Sequence, residues 1–194
     1  MTPDELRGKQ DAFLDRYNAA RSVAKAESDA LMSAAQHNSL YAPGVNEHDR
    51  YIVRAKWKEF LNDIAARYKS PVSVAEYEAD VEHLRKMMNA RFSKLFRSDR
   101  HPKYHYDAGF RMSHAQKSLS VFLKHRWCLG TIDVPPQCPV DARVLHAAGA
   151  RYPATRWAYV NTIEEHRSQV ARLMASAQAS GLRLAEWELV TFQA

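Results

Sequence analysis

Lys117 and Asp141 are the two residues of this 194-residue chain whose types and settings could do chemistry together. Lys117 sits in Ser113-His114-Ala115-Gln116-Lys117-Ser118, a stretch with helical spacing of apolar residues. Asp141 follows Pro139-Val140 where a second, short helix should begin, and a proline-punctuated loop separates the two. A lysine amine is a nucleophile once neighbours lower its pKa, and with an aldehyde-type carbon it forms a Schiff base. A carboxylate ionised at a helix N-terminus stabilises positive charge developing beside it and orients an attacking nucleophile. Alone, each residue has a plainer reading. An aspartate after proline is commonly just a helix cap worth ~1 kcal/mol, and a lysine on a polar helix face is commonly just solvated. Their joint occurrence, in a Pro-Val-Asp-x-x-Val context beside a basic flank, favours a site.

The elements that must position this pair are helical. Thr2-Pro3-Asp4-Glu5 is a helix start, with a Thr cap, Pro in the first turn and Glu at the third position. Leu6, Phe13, Leu14, Tyr17, Val23, Leu31 and Met32 then predict one helix reaching about residues 36–39. Residues 46–49 open a second helix with Tyr51, Ile52, Ala55, Phe60, Ile64 and Tyr68 at helical spacing, broken at Ser70-Pro71. Ser73 and Glu76 form a capping box for a third helix, with Tyr77, Val81, Leu84, Met88, Phe92 and Leu95 or Phe96 inward. Residues 98–109 are polar, irregular and rich in His and Tyr. The helix from Ser113 winds Ala115, Leu119, Phe122 and Leu123 onto one face, with Lys117 and Lys124 roughly opposite and His114 to one side. Lys117 is therefore expected on a cleft or solvent surface and not in the core. Gly149 ends the helix that Asp141 opens; Thr162 and Glu165 cap another that runs to Gly181, and residues 184–192 add one or two helical turns. With no hairpin signal and no internal repeat, the expected fold is all-α. It is a single helical domain over residues 1–194, or two closely packed lobes at 1–97 and 98–194.

Composition bounds the function. With 46% hydrophobic and 26% charged residues the chain is an ordinary globular protein. No apolar run approaches the roughly 20 residues that span a bilayer. The N-terminal stretch MTPDELRGKQ has no apolar signal core, so no membrane association and a cytoplasmic location are expected. Cys128 and Cys138 are the only cysteines, too few for a four-cysteine metal site and expected as free thiols. Glycine-rich phosphate loops, H-E-x-x-H and G-x-S-x-G are absent, so neither metal nor cofactor is expected. The net charge of +6 is unevenly spread: residues 85–126 hold eleven Lys and Arg against Asp99 and Asp107, a net +9 that leaves −3 elsewhere. Such a concentration suits a polyanion, most simply nucleic acid.

The segment from Ser113 to Gly149 resembles the signature of the helix-hairpin-helix DNA glycosylases. In that family a hairpin leads into a helix bearing a catalytic lysine, and a loop then delivers a catalytic aspartate at the start of the next helix. Gln116-Lys117-Ser118 stands at the lysine position, and Pro139-Val140-Asp141-Ala142-Arg143-Val144 matches the P-V-D-x-x-V context. The resemblance covers about 37 of 194 residues. The pair is 24 residues apart, a little longer than usual, and the extra length falls between Cys128 and Cys138. The hairpin position, Met112-Ser113-His114-Ala115, carries none of the family's usual glycines. An atypical hairpin and longer spacing are features of the divergent archaeal 8-oxoguanine glycosylase branch, to which the chain is similar. It also resembles bacterial phage-defence glycosylases that remove glucosylated hydroxymethylcytosine.

The resemblance implies a helix-hairpin-helix-type helical bundle acting as a monomer on double-stranded DNA, in repair or in antiviral defence. It would flip out and excise a modified base, an oxidised purine or a phage-type modified cytosine, and leave an abasic site without any cofactor. Lys117 and Asp141 would be catalytic, and a lyase step through Lys117 is compatible with that role. Arg111, Ser113, His114, Gln116 and Lys124 would contact DNA, and Lys124 with nearby arginines would lower the pKa of Lys117. Trp127, Tyr152 and Trp157 are candidates for the base pocket from position alone. The alternative reading is a non-catalytic helical nucleic-acid-binding protein.

Overall fold

Fifteen of the 17 residues in the helix Met112–Cys128 are buried, and the other elements are arranged around it. The computed structural model describes residues 1–35, 40–98 and 108–193. Among them are eight α-helices: α1 Pro3–Tyr17, α2 Val23–Ala35, α3 Glu47–Ala65, α4 Val74–Phe92, α5 Met112–Cys128, α6 Ala142–Ala147, α7 Ile163–Ala179 and α8 Leu184–Gln193. The described residues contain no strand, only an isolated antiparallel bridge between Tyr41 and Phe96, so the fold is all-α. None of these helices is long and apolar enough to cross a membrane. Most of the His- and Tyr-rich stretch, residues 99–107, lies outside the described residues.

The expected caps are present. Thr2, Ser73 and Thr162 each form a full capping box, and Asn46 caps α3 through Asp49 N–H. The single N-terminal helix is instead two. Asn18 ends α1, and its buried amide accepts from Ser22 N–H at 3.1 Å and donates to Ser22 C=O at 3.0 Å. Arg21 takes a left-handed conformation, φ +47°, to complete the turn. Side-chain bonding of this kind competes with the helix ladder, and apolar periodicity does not report it. On α3 the inward stripe is Val53, Trp57, Leu61 and Ile64, while Tyr51 and Ile52 are exposed. Trp57 sets that orientation by reaching α5, where its indole N–H donates to Ser118 Oγ at 3.1 Å. On α4 the inner stripe is as expected, with Tyr77 OH 2.5 Å from Ser120 Oγ of α5. The C-terminal α8 runs ten residues, longer than the expected turn or two.

The buried apolar residues form two clusters. The larger gathers α1 to α5 and takes Ala185 and Leu189 from α8. The smaller runs from Cys138 through α6 and α7 and takes Leu184 and Trp187 from α8. Along the chain the seam between the clusters falls between Val134 and Cys138, because α5 packs within the larger one.

The turn entering α5 is clamped to α4 by Asn89, which accepts from Phe110 N–H and donates to Phe110 C=O, each at 2.8 Å. Gly109, at φ +75°, makes the approach possible, since a Cβ there would meet Asn89 Oδ1 at 2.7 Å. Gly109→Ala should cost about 1–3 kcal/mol, through left-handed strain and loss of this clamp. Thermal denaturation should show a fall of several degrees; an unchanged midpoint would mean the clamp does not matter.

Candidate active site

Lys117 and Asp141 meet at the seam. Lys117 Nζ donates to Asp141 Oδ2 at 2.6 Å, with the two side chains only 7% and 19% exposed. Asp141 is also the N-cap of α6, its Oδ1 accepting from Val144 N–H at 2.9 Å. One carboxylate thus caps a helix of the smaller cluster and pairs with a lysine of the larger. The preceding loop is held at several points. Asp133 N–H bonds Tyr68 C=O at 2.7 Å, and Gln137 sits between His166 Nε2, at 2.8 Å, and Glu78 Oε1, at 3.5 Å. Gln116 Nε2 donates to Val140 C=O at 2.9 Å, and its Oε1 accepts from Val140 N–H at 3.3 Å.

Burial by itself pushes the Asp141 carboxyl up. The Lys117 ammonium and its hydrogen bond, with the Val144 and Arg143 N–H groups, outweigh that and hold it below its ordinary value. Asp141 therefore rests as the carboxylate beside Lys117.

Both residues line a cleft of about 770 Å³, within the range of small-molecule sites. Val121, Lys124 and His125 line it further along α5. Lys124 makes a second buried ion pair, 3.0 Å from Oε1 and 2.7 Å from Oε2 of Glu188 on α8; Oε2 has no aligned donor. The same ammonium lies 4.5 Å from the Phe13 ring centroid and 4.2 Å from that of Phe192. Phe13, Tyr17 and Phe192 form an aromatic wall, with the Tyr17 and Phe192 rings 5.3 Å apart. Trp157 also lines the cleft, its ring 5.9 Å from Lys117 Nζ. Arg16, Lys25 and Arg143 add exposed cations to the lining.

The other residues singled out from sequence fall in several places. The polar face of α5 is not a surface: Arg111, Ser113, His114, Gln116 and Lys124 are all buried. Ser113 Oγ donates to Ala158 C=O, the His114 ring accepts from the Arg111 backbone N–H at Nδ1, and Gln116 serves Val140, so the Ser113, His114 and Gln116 side chains have bonds within the protein. Lys124 is neutralised by Glu188 instead of standing as a bare charge near Lys117. Lys117 does face a cleft, but as a buried residue. Of the three aromatics only Trp157 lines the cleft. Trp127 belongs to the larger core, and Tyr152, 77% exposed, lies outside the cleft lining with Arg156 near its ring. Sequence reading missed Glu188, Phe192, Phe13 and Tyr17 as cleft residues. The one available signal was an acid between Trp187 and Leu189, both apolar, with Phe192 one turn further along.

Among the described residues no group of three or more His, Cys, Asp or Glu side chains could hold a metal ion. Comparison with known proteins found no matching family model, no similar curated protein and no similar solved structure.

Two pH effects follow. Burial lowers His125 and His166 from 6.5 to about 4, so the native state refuses protons that the unfolded chain accepts. Stability should be full above pH 6.5 and fall as pH drops toward 4; urea midpoints across that window should flatten in His166→Gln. Asp141 acts lower: its contribution is present above the unfolded carboxyl value and lost as pH falls through the depressed folded one. Asp141→Asn should therefore steepen no loss above pH 5 and remove part of the loss below 4. Lys117→Met strands a mostly buried carboxylate and should cost about 3 kcal/mol at neutral pH, read from the same urea curves.

Proposed function

We propose that this protein is a DNA N-glycosylase of the helix-hairpin-helix type. It flips a modified base, an oxidised purine or a modified cytosine, into the cleft and breaks its glycosidic bond beside Lys117 and Asp141. The observation that carries this reading is the buried Lys117–Asp141 ion pair lining an aromatic-walled cleft, at the residues where the sequence resembles that family. Flipped bases are held by stacking and by hydrogen bonds to their edges. Tyr17 and Phe192, both partly exposed, offer stacking surfaces in the cleft.

The chemistry uses charge already in place. As the bond from C1′ to the base nitrogen breaks, its electron pair leaves with the base, which takes up a proton, and positive charge builds on the sugar. The Asp141 carboxylate stabilises that charge, and water adds at C1′, giving up the proton that balances the one the base takes up, to leave the abasic site. A covalent route needs Lys117 to lose a proton, and Asp141 Oδ2 is one hydrogen bond away to receive it. The amine then attacks C1′ as the base departs with the bonding electron pair and a proton, and the new nitrogen sheds a proton while O4′ gains one on ring opening, which gives the Schiff base. With the α5 polar groups buried, phosphate contacts fall to exposed cations such as Arg16, Lys25 and Arg143 around the cleft.

Incubation with DNAs carrying oxidised, alkylated, deaminated or glucosylated bases, scored for abasic sites, tests the reading. Wild-type protein should release one class of base. Asp141→Asn, which keeps the cap, should lower release by roughly 10²–10³-fold with DNA affinity little changed. Release from none of these DNAs, with binding retained, would leave the non-catalytic nucleic-acid-binding reading in its place. Borohydride should trap a covalent DNA complex that Lys117→Ala abolishes if the lysine is the nucleophile.

A further inference from the structure

We infer that Gln116 is the positioning residue of the Lys117–Asp141 pair, its side-chain amide grasping Val140 by both backbone groups and so setting where Asp141 stands. The catalytic consequence rests on the glycosylase reading; the geometric one does not.

Gln116 and Lys117 are adjacent on α5, and Val140 and Asp141 are adjacent at the start of α6. The amide contacts, 2.9 Å from Nε2 to Val140 C=O and 3.3 Å from Val140 N–H to Oε1, stand one residue away from the ion pair on both segments. A side-chain amide bonded both ways imitates a backbone partner and fixes position and orientation together. Pro139 has no N–H to offer, so Val140 carries the last complete set of backbone groups before the cap. Helix α6 packs on α7 and α8, and it faces α5 through these two side-chain links. The Asp141 carboxylate cannot adjust freely, because Oδ1 is committed to Val144 N–H. Its distance from Lys117 is therefore set by where the backbone of Val140 is held. Gln116 and Val140 are both buried, so water does not substitute for the amide.

A merely structural role, filling two buried hydrogen-bonding groups, makes a different prediction. Gln116→Met keeps the volume and removes both bonds. On folded protein, judged by circular dichroism, ¹³C NMR should show the Asp141 carboxyl titrating higher than in wild type, as Lys117 and Asp141 separate. On whichever modified DNA the wild type cleaves, kcat should fall roughly 10²-fold at unchanged KM, as for an ångström-scale misplacement. Gln116→Glu keeps the acceptor for Val140 N–H and should fall between the two. It carries the same readouts if the Met variant does not fold. An Asp141 titration identical to wild type in folded variants overturns the proposal, as does lower thermal stability with unaltered kcat. If wild-type protein releases no base, the glycosylase reading fails and the NMR result still decides the role of Gln116.

Discussion

A buried ammonium must have a partner, and α5 buries two of them. Lys117 and Lys124 lie seven residues apart, about 10 Å along the helix axis, on a face that water would ordinarily cover. Leaving either unpaired in that setting would cost several kcal/mol. Asp141 answers the first from the start of α6, and Glu188 answers the second from α8. The placement of the C-terminal third of the chain follows from meeting these two charges.

That requirement puts the cleft at the seam between the apolar clusters. The larger cluster supplies the lysines on a rigid, enclosed helix; the smaller supplies the carboxylate at a helix cap. Each pair alone could be a staple, since buried ion pairs are weak evidence for anything but specificity. What distinguishes these two is that residues of both line one open cleft with aromatic walls. Gln116 and Gln137 tie the loop to α5, α4 and α7 at that point.

Local features were legible in the sequence, and long-range ones were not. The caps at Thr2, Asn46, Ser73, Asp141 and Thr162 depend on residues three apart, and all five begin helices. The stripe on α4 is equally local. The break at Asn18 escaped because α1 and α2 both bury apolar faces, so the periodicity runs on across a turn made by one amide. On α3, Tyr51 and Ile52 look inward by type, but Trp57 fixes the helix rotation through a partner 61 residues away. The wholesale burial of α5 was hidden for the same reason. Its polar face reads as solvated until Asp141, 24 residues on, and Glu188, 64 residues on, are known to cover it. The meeting of Lys117 and Asp141 was readable from motif context; the burial of their neighbours on α5 was not.

The role proposed for this pair is to break glycosidic bonds. Mass spectrometry of the small molecules freed from a mixed pool of modified DNA tests it most directly. Wild-type protein should yield a free modified base, with an equal number of abasic sites left in the DNA, and Asp141→Asn should not. DNA that is bound yet yields no free base, or a base released equally by the Asp141→Asn protein, would contradict it.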